Sequence, residues 1–133
     1  MTDAKIAMKK ILVIDDSLMD RKLLSSLLKK NGIENEVIQA GDGEEGFKLL
    51  NDNFQNVALI FLDWQMPKLN GIEFMKTVVK FPELNQVPIV MITASSTEDN
   101  KRQAHSVNPK LAGYVVKPYK PENLVALIKP FLQ

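Results

Sequence analysis

Apolar runs in this chain stop abruptly at residues that carry chemistry. KKILVI ends on Asp15 and Asp16, VALIFL on Asp63, IVMI on Thr93 and GYVV on Lys117. A run that is apolar at every position, as Val57 to Leu62 is, suits a central strand covered on both faces and not a strand with one wet side. The chain is therefore constrained to lay several buried strands side by side, each delivering a polar residue at its carboxyl end.

Between these runs lie longer segments whose apolar residues recur at helical spacing, with turn-forming residues in between. The pattern reads as β-α repeated five times. The first strand runs from Lys10 to Asp15. A helix follows over Ser17 to Asn31 with Leu23, Leu24, Leu27 and Leu28 on one face; Ser17 and Asp20 have capping-box spacing, and Gly32 marks the stop. A second strand is expected over Glu36 to Ala40, then a helix burying Phe47, Leu50 and Phe54, with Asp42 and Glu45 in the same capping relation. The helix after the third strand starts near Asn70 and Gly71 and buries Ile72, Met75, Val78 and Val79. The fourth strand spans Pro88 to Thr93, a polar helix Thr97 to Ser106, and the fifth strand Gly113 to Lys117. Pro121 sits in the first turn of the last helix, where its missing N–H costs little, and Leu124, Leu127, Ile128 and Phe131 face inward. Right-handed crossovers between parallel strands then place helices on both faces, an α/β doubly wound five-stranded sheet.

With 133 residues, one compact domain is expected over 1–133, its core at about 9–132 behind a short extension over 1–8. A formal charge of +1 gives no reason to expect nucleic acid or an anionic membrane as partner. The absence of cysteine excludes disulfides, thiolate metal sites and cysteine catalysis. The longest apolar run is six residues, far short of the about 20 that a membrane-spanning helix needs, and MTDAKIAMKK has no signal-peptide core. A cytoplasmic protein is expected.

In doubly wound sheets ligands bind beyond the carboxyl ends of the strands, where strand order reverses. Asp15, Asp16, Asp63, Thr93 and Lys117 all fall there. Two like charges ~4 Å apart repel by about 4 kcal/mol at an effective dielectric near 20, so clustered carboxylates call for a neutralising cation. Mg²⁺ suits such a site, because it takes oxygen ligands, needs few from the protein and keeps waters that a phosphate replaces. Lys117 adds a point charge for that phosphate. Taken singly, each residue has a plainer role: Asp16 as a helix-entry residue, Thr93 as a strand-end hydroxyl, Lys117 as a solvated lysine, Tyr114 as a half-buried strand aromatic, Gly71 as a backbone requirement. His105, the sole histidine, lies in a polar helix and reads as a surface residue, and Trp64 and Met66 read as packing residues.

The set DD, DWQMP, IVMITA and GYVVKP, in that order over nearly the whole chain, resembles the receiver domain of bacterial response regulators, of the stand-alone chemotaxis (CheY-like) type. The resemblance implies a flavodoxin-like (βα)5 sheet of order 2-1-3-4-5 and a two-component phosphotransfer role without enzymatic turnover of a substrate. It implies that Asp63 accepts a phosphoryl group from a sensor histidine kinase or a histidine phosphotransfer protein. Asp15, Asp16, the Asp63 carboxylate and the backbone carbonyl of Gln65 would hold Mg²⁺. Thr93 and Lys117 would contact the phosphoryl oxygens, Tyr114 would be the aromatic switch, and a cis bond would join Lys117 to Pro118. A downstream protein would read the fourth helix, fifth strand and fifth helix; a relay to another histidine, or a binding module that is never phosphorylated, are the alternatives. With the chain ending at the fifth helix, output through a bound partner is expected.

Three features depart from the commonest receiver pattern. AHSVNPKLAGY puts Asn108 and Pro109 where many relatives turn tightly, FPELNQVP lengthens the entry to the fourth strand, and Gln65 and Ser95 supply no charge to orient a hydrolytic water, so slow self-dephosphorylation is expected. Two readings from other functional classes, a phosphatase and an electron carrier, fit less well. A haloacid-dehalogenase-type phosphatase requires an acid two positions after its nucleophile, where this chain has Gln65, and a flavodoxin requires a hydroxyl- and glycine-rich loop where this chain has DDSLMD.

Overall fold

A computed structural model describes residues 8–132. Residues 1–7 of the expected extension 1–8 lie outside the described part. Five parallel strands, β1 (Lys10–Ile14), β2 (Val37–Ala40), β3 (Val57–Leu62), β4 (Ile89–Thr93) and β5 (Gly113–Val116), pair in the order β2-β1-β3-β4-β5. They alternate with α1 (Leu18–Lys30), α2 (Gly43–Asn53), α3 (Gly71–Val78), α4 (Glu98–Val107) and α5 (Pro121–Ile128). The expected α/β order is thus present, with boundaries within a residue or two of the sequence reading.

The strand order explains which helix covers which face. The chain steps from β1 outward to β2, then returns past β1 to β3 and continues to β4 and β5. Right-handed crossovers in opposite directions place their helices on opposite faces. Side chains alternate accordingly. Leu12, Ile14, Ile60, Leu62, Ile89 and Met91 point into the layer closed by Leu50 of α2 and Ile72, Phe74, Met75 and Val78 of α3. Ile11, Val13, Leu59, Phe61, Val90 and Ile92 point into the layer closed by Leu24 and Leu28 of α1 and Leu124, Val125 and Ile128 of α5. Every residue of β3 is buried, as its sequence requires.

Two local expectations are corrected. Leu23, expected on the buried face of α1, is 61% exposed: Leu24 and Leu28 are the residues that reach the sheet, and Leu27 is only partly covered. Val79 is half-buried and caps α3 at its carboxyl end, while Phe74 fills the core in its place. The capping boxes also differ from expectation. Ser17 accepts from the Asp20 amide at 3.1 Å, but the Ser17 N–H donates to Asp15 Oδ1 at 2.9 Å and not back to Asp20. Asp42 accepts from the Glu45 amide, and Glu45 reaches back to Gly41 N–H instead of Asp42. The reciprocal box is at α3, between Asn70 and Glu73.

The segment Asn108–Pro109 forms a compact turn. Asn108 is buried, its amide closes α4 on the Ala104 carbonyl, its Oδ1 accepts from the Lys110 amide, and its Nδ2 lies 3.9 Å from Met75 Sδ. In FPELNQVP, Leu84 plugs the core and Phe81 stacks at a tilt on Phe47, with ring centroids 5.9 Å apart.

Candidate functional site

The crevice lies between the ends of β1 and β3, where the winding reverses. Asp15, Asp63 and Lys117 each sit one step past their strand, and the amide of each forms the last rung of the ladder: Asp15 N–H to Ala40 O (3.1 Å), Asp63 N–H to Ile14 O (3.0 Å) and Lys117 N–H to Thr93 O (2.8 Å). These bonds fix the backbone at each position, so the side chains converge without a flexible loop between strand and function.

Asp15, Asp16 and Asp63 each offer a carboxylate oxygen, and these oxygens lie within 4.8 Å of one another. Asp15 is buried, Asp63 has a side chain 14% exposed, and Asp16 is open to solvent. Lys117 Nζ stands 3.1 Å from Asp15 Oδ2 and 3.9 Å from Asp63 Oδ2. Burial, with the Asp15 charge next, lifts Asp63 from the usual 3.8 to about 6; Lys117 and the Trp64 amide, which donates to Asp63 Oδ1 at 2.7 Å, only partly offset this. Burial alone would lower Lys117, but the hydrogen bond to Asp20 and the charges of Asp63 and Asp15 together hold it well above the ordinary lysine value. A carboxylate cluster of this kind is a hard, oxygen-only donor set, which fits Mg²⁺ by its chemistry.

The loop after β3 is shaped by Gly71. A Cβ at that position would collide with the Asp63 carbonyl oxygen, and the Gly71 amide donates to Trp64 O at 2.8 Å. The plainer reading of Gly71 is the right one: it lets the first turn of α3 press against the back of the Asp63 segment. Trp64 and Met66 pack on the core as expected, Gln65 is exposed, and His105 is on the surface. The Lys117–Pro118 bond is cis.

Thr93 and Tyr114 meet through Ser95. Thr93 is buried, and its Oγ1 accepts from the Ser95 amide at 3.3 Å; the Tyr114 hydroxyl donates to the Ser95 carbonyl at 2.9 Å, and Asn100 Nδ2 donates to Ser95 Oγ. Ala94, between Thr93 and Ser95 in sequence, is exposed.

Two residues that the sequence reading left out of the site belong to it. Asp20 Oδ2 takes a hydrogen bond from Lys117 Nζ at 2.9 Å, the shortest contact the ammonium makes. Arg21 bonds the Asp15 carbonyl and, through Nε, Gln39 Oε1 at 3.0 Å, tying α1 to β2 behind the pocket. Nothing local marks a contact that spans 97 residues. The available signal was that Asp15, Asp16 and Asp20 all fall at one end of α1. The pocket opens into a groove of about 560 Å³ between α1 and the segment leading into α5, lined by Asp15, Asp20, Asp63 and Lys117 at its polar end and by Leu24, Leu27, Phe61 and Tyr119 along its apolar part.

Residues 11–129 match the response regulator receiver domain. The chain belongs to that family. It is 34% identical over 116 residues to the chemotaxis protein CheY homologue of Campylobacter jejuni, covering 86% of this chain and 85% of that protein. The structure of the chemotaxis protein CheY4 of Vibrio cholerae superposes with a TM-score of 0.81 at 32% identity, over 95% of this chain and 100% of that one. The response regulator Rcp1 in its Mn²⁺-bound form superposes with a TM-score of 0.74 at 27% identity, over 92% and 90%. The receiver is therefore CheY-like, with the flavodoxin-like fold and strand order 2-1-3-4-5.

Proposed function

We propose that this receiver is a phosphorylation switch in which Asp63 accepts the phosphoryl group of a phosphohistidine on a sensor kinase or phosphotransfer protein. The observation that carries the proposal is the meeting of three carboxylates within 4.8 Å with Lys117 Nζ 3.9 Å from Asp63 Oδ2. An Asp63 oxygen attacks phosphorus, a P–O bond forms, and the P–N bond breaks with its electron pair leaving on the imidazole, which takes up a proton. Phosphoryl transfer asks for alignment and charge stabilisation more than for covalent assistance. Asp15, Asp16, the Asp63 carboxylate and the Gln65 carbonyl would hold Mg²⁺, which when bound supplies positive charge against the incoming phosphoryl oxygens. Lys117, with Nζ 3.9 Å from Asp63 Oδ2, supplies a second positive charge. At neutral pH a group titrating at about 6 is mostly ionised, so Asp63 is available as nucleophile.

Thr93 is the proposed sensor of the acyl phosphate. Its hydroxyl turns to a phosphoryl oxygen and leaves the Ser95 amide, and Ser95 also carries the carbonyl that Tyr114 holds. The output surface of α4, β5 and α5 is thereby biased between two packings. With Gln65 exposed and Ser95 Oγ already engaged by Asn100, neither presents a charged group to water at the acyl phosphate, which favours a long-lived phosphoryl group. A relay role has support of its own in the exposed Leu18 and Met19 beside the acidic pocket, an apolar surface that a histidine-bearing partner helix would cover.

Intact mass after incubation with acetyl phosphate and Mg²⁺ tests the proposal. One phosphoryl increment is expected, dependent on Mg²⁺, absent in Asp63→Asn and accompanied by a change in Trp64 fluorescence. A protein that gains no increment is a binding module and not a switch.

A further inference from the structure

An ammonium has three donors. Lys117 commits one to Asp15 Oδ2 at 3.1 Å and one to Asp20 Oδ2 at 2.9 Å, while Asp63 Oδ2 at 3.9 Å lies outside hydrogen-bond reach. The lysine thus rests on the α1 side of the pocket and not on the acceptor. The residue responsible, Asp20, stands third in α1, a position from which an acidic side chain ordinarily folds back to the start of its own helix. Glu73 does so at the start of α3, donating nothing and accepting from the Asn70 amide at 3.0 Å. Asp20 is released from that task because Asp15 Oδ1 already satisfies the Ser17 amide, and its carboxylate turns across the pocket instead.

We infer that Asp20 is a positioning residue that tethers Lys117 away from Asp63, so that a phosphoryl group arriving there must compete with the Asp20 carboxylate for the ammonium. The inference rests on Asp63 as the acceptor. Two effects of removing the Asp20 charge act in the same direction: the ammonium is freed to swing to the phosphoryl oxygens, and one negative charge fewer faces a dianion. Asp20 therefore lowers the affinity of the pocket for the phosphorylated state and sets how readily the switch is thrown.

The probe is beryllofluoride, which assembles on an aspartate as an acyl phosphate analogue, titrated in saturating Mg²⁺ against the fluorescence of Trp64 in the full chain. Asp20→Asn is expected to bind it about two- to five-fold more tightly than the wild type, the range of a partly exposed ion pair. In a Lys117→Met background the same substitution is expected to change the affinity by much less. Equal or weaker binding by Asp20→Asn overturns the inference. So does an equal gain in both backgrounds, which would mean that Asp20 acts by its own charge and not through the lysine. A second reading needs neither metal nor phosphate. In metal-free protein labelled at lysine ¹⁵Nζ, the Lys117 ammonium signal is expected to shift and lose protection from exchange in Asp20→Asn, and an unmoved signal rejects the tether. A wild type that ignores beryllofluoride while its Lys117 signal responds to Asp20→Asn would instead count against Asp63 as acceptor.

Discussion

Asp63 is held at a cost that its own chemistry explains. A carboxylate raised from 3.8 to about 6 by burial and by Asp15 binds its proton more tightly folded than unfolded. The sign follows directly: stability is greatest at low pH, falls as pH rises from 3.8 to about 6, and above that the full penalty applies. Replacing Asp63 with Asn in metal-free buffer is expected to stabilise the protein by roughly 2–3 kcal/mol at pH 7.5 and to leave it nearly unchanged near pH 4, read by urea unfolding at both values. Equal stabilisation at both pH values would remove the electrostatic explanation. Gly71 is the opposite case, a residue whose value lies in what it lacks. Gly71→Ala drives a methyl group into the Asp63 carbonyl and is expected to cost roughly 1–3 kcal/mol and to slow phosphorylation by displacing Asp63. At this scale the sequence was informative where residue type and strand end coincide, as for Asp15, Asp63 and Lys117. It was silent on Asp20, because an acid in the first turn of a helix has a sufficient local reason to be there.

Among the elements, helix starts do more than begin helices. The box at Asn70 fixes the turn on which Gly71 supports the Asp63 segment. Asn70→Ala is expected to lower stability by about 1 kcal/mol, seen as a lower urea midpoint at unchanged m. The β4–α4 loop carries a different load, because one residue, Ser95, bonds both Thr93 and Tyr114. Tyr114→Phe removes only the bond to the Ser95 carbonyl. Phosphorylation by acetyl phosphate is expected to proceed at the wild-type rate, while the ¹⁵N shift of the Ser95 amide on adding beryllofluoride shrinks. An unaltered shift would show that Tyr114 does not follow the loop. Element type and order were legible throughout from the alternation of apolar runs with helical periodicity. The face of α1 was not, since four leucines at 23, 24, 27 and 28 span more arc than the sheet contacts, and only packing decides that Leu23 stays outside.

For the molecule as a whole, a cation gathered by three carboxylates should stabilise the folded chain and leave the unfolded one untouched. At a Mg²⁺ concentration of about 100 times the dissociation constant the gain is about 2.7 kcal/mol. Thermal unfolding with and without Mg²⁺ should show a rise in midpoint that Asp63→Asn loses, and a rise of equal size in the variant would place the cation elsewhere. The strand order was expected on the strength of the family resemblance and not of the residues themselves: alternation predicts parallel strands with helices between, but whether β3 lies beside β1 or β2 depends on long-range pairing that no short pattern encodes. Family membership and sheet order now agree.

The pocket joins Lys117 to Asp15 across 102 positions of the chain. A polypeptide leaving the ribosome carries Asp15, Asp16 and Asp63 long before it carries β5, and until β5 docks these carboxylates lack Lys117. The proposed acceptor pocket is therefore complete only once β5 has joined the sheet, so a partner that requires Lys117 would address chains in which the whole sheet has formed.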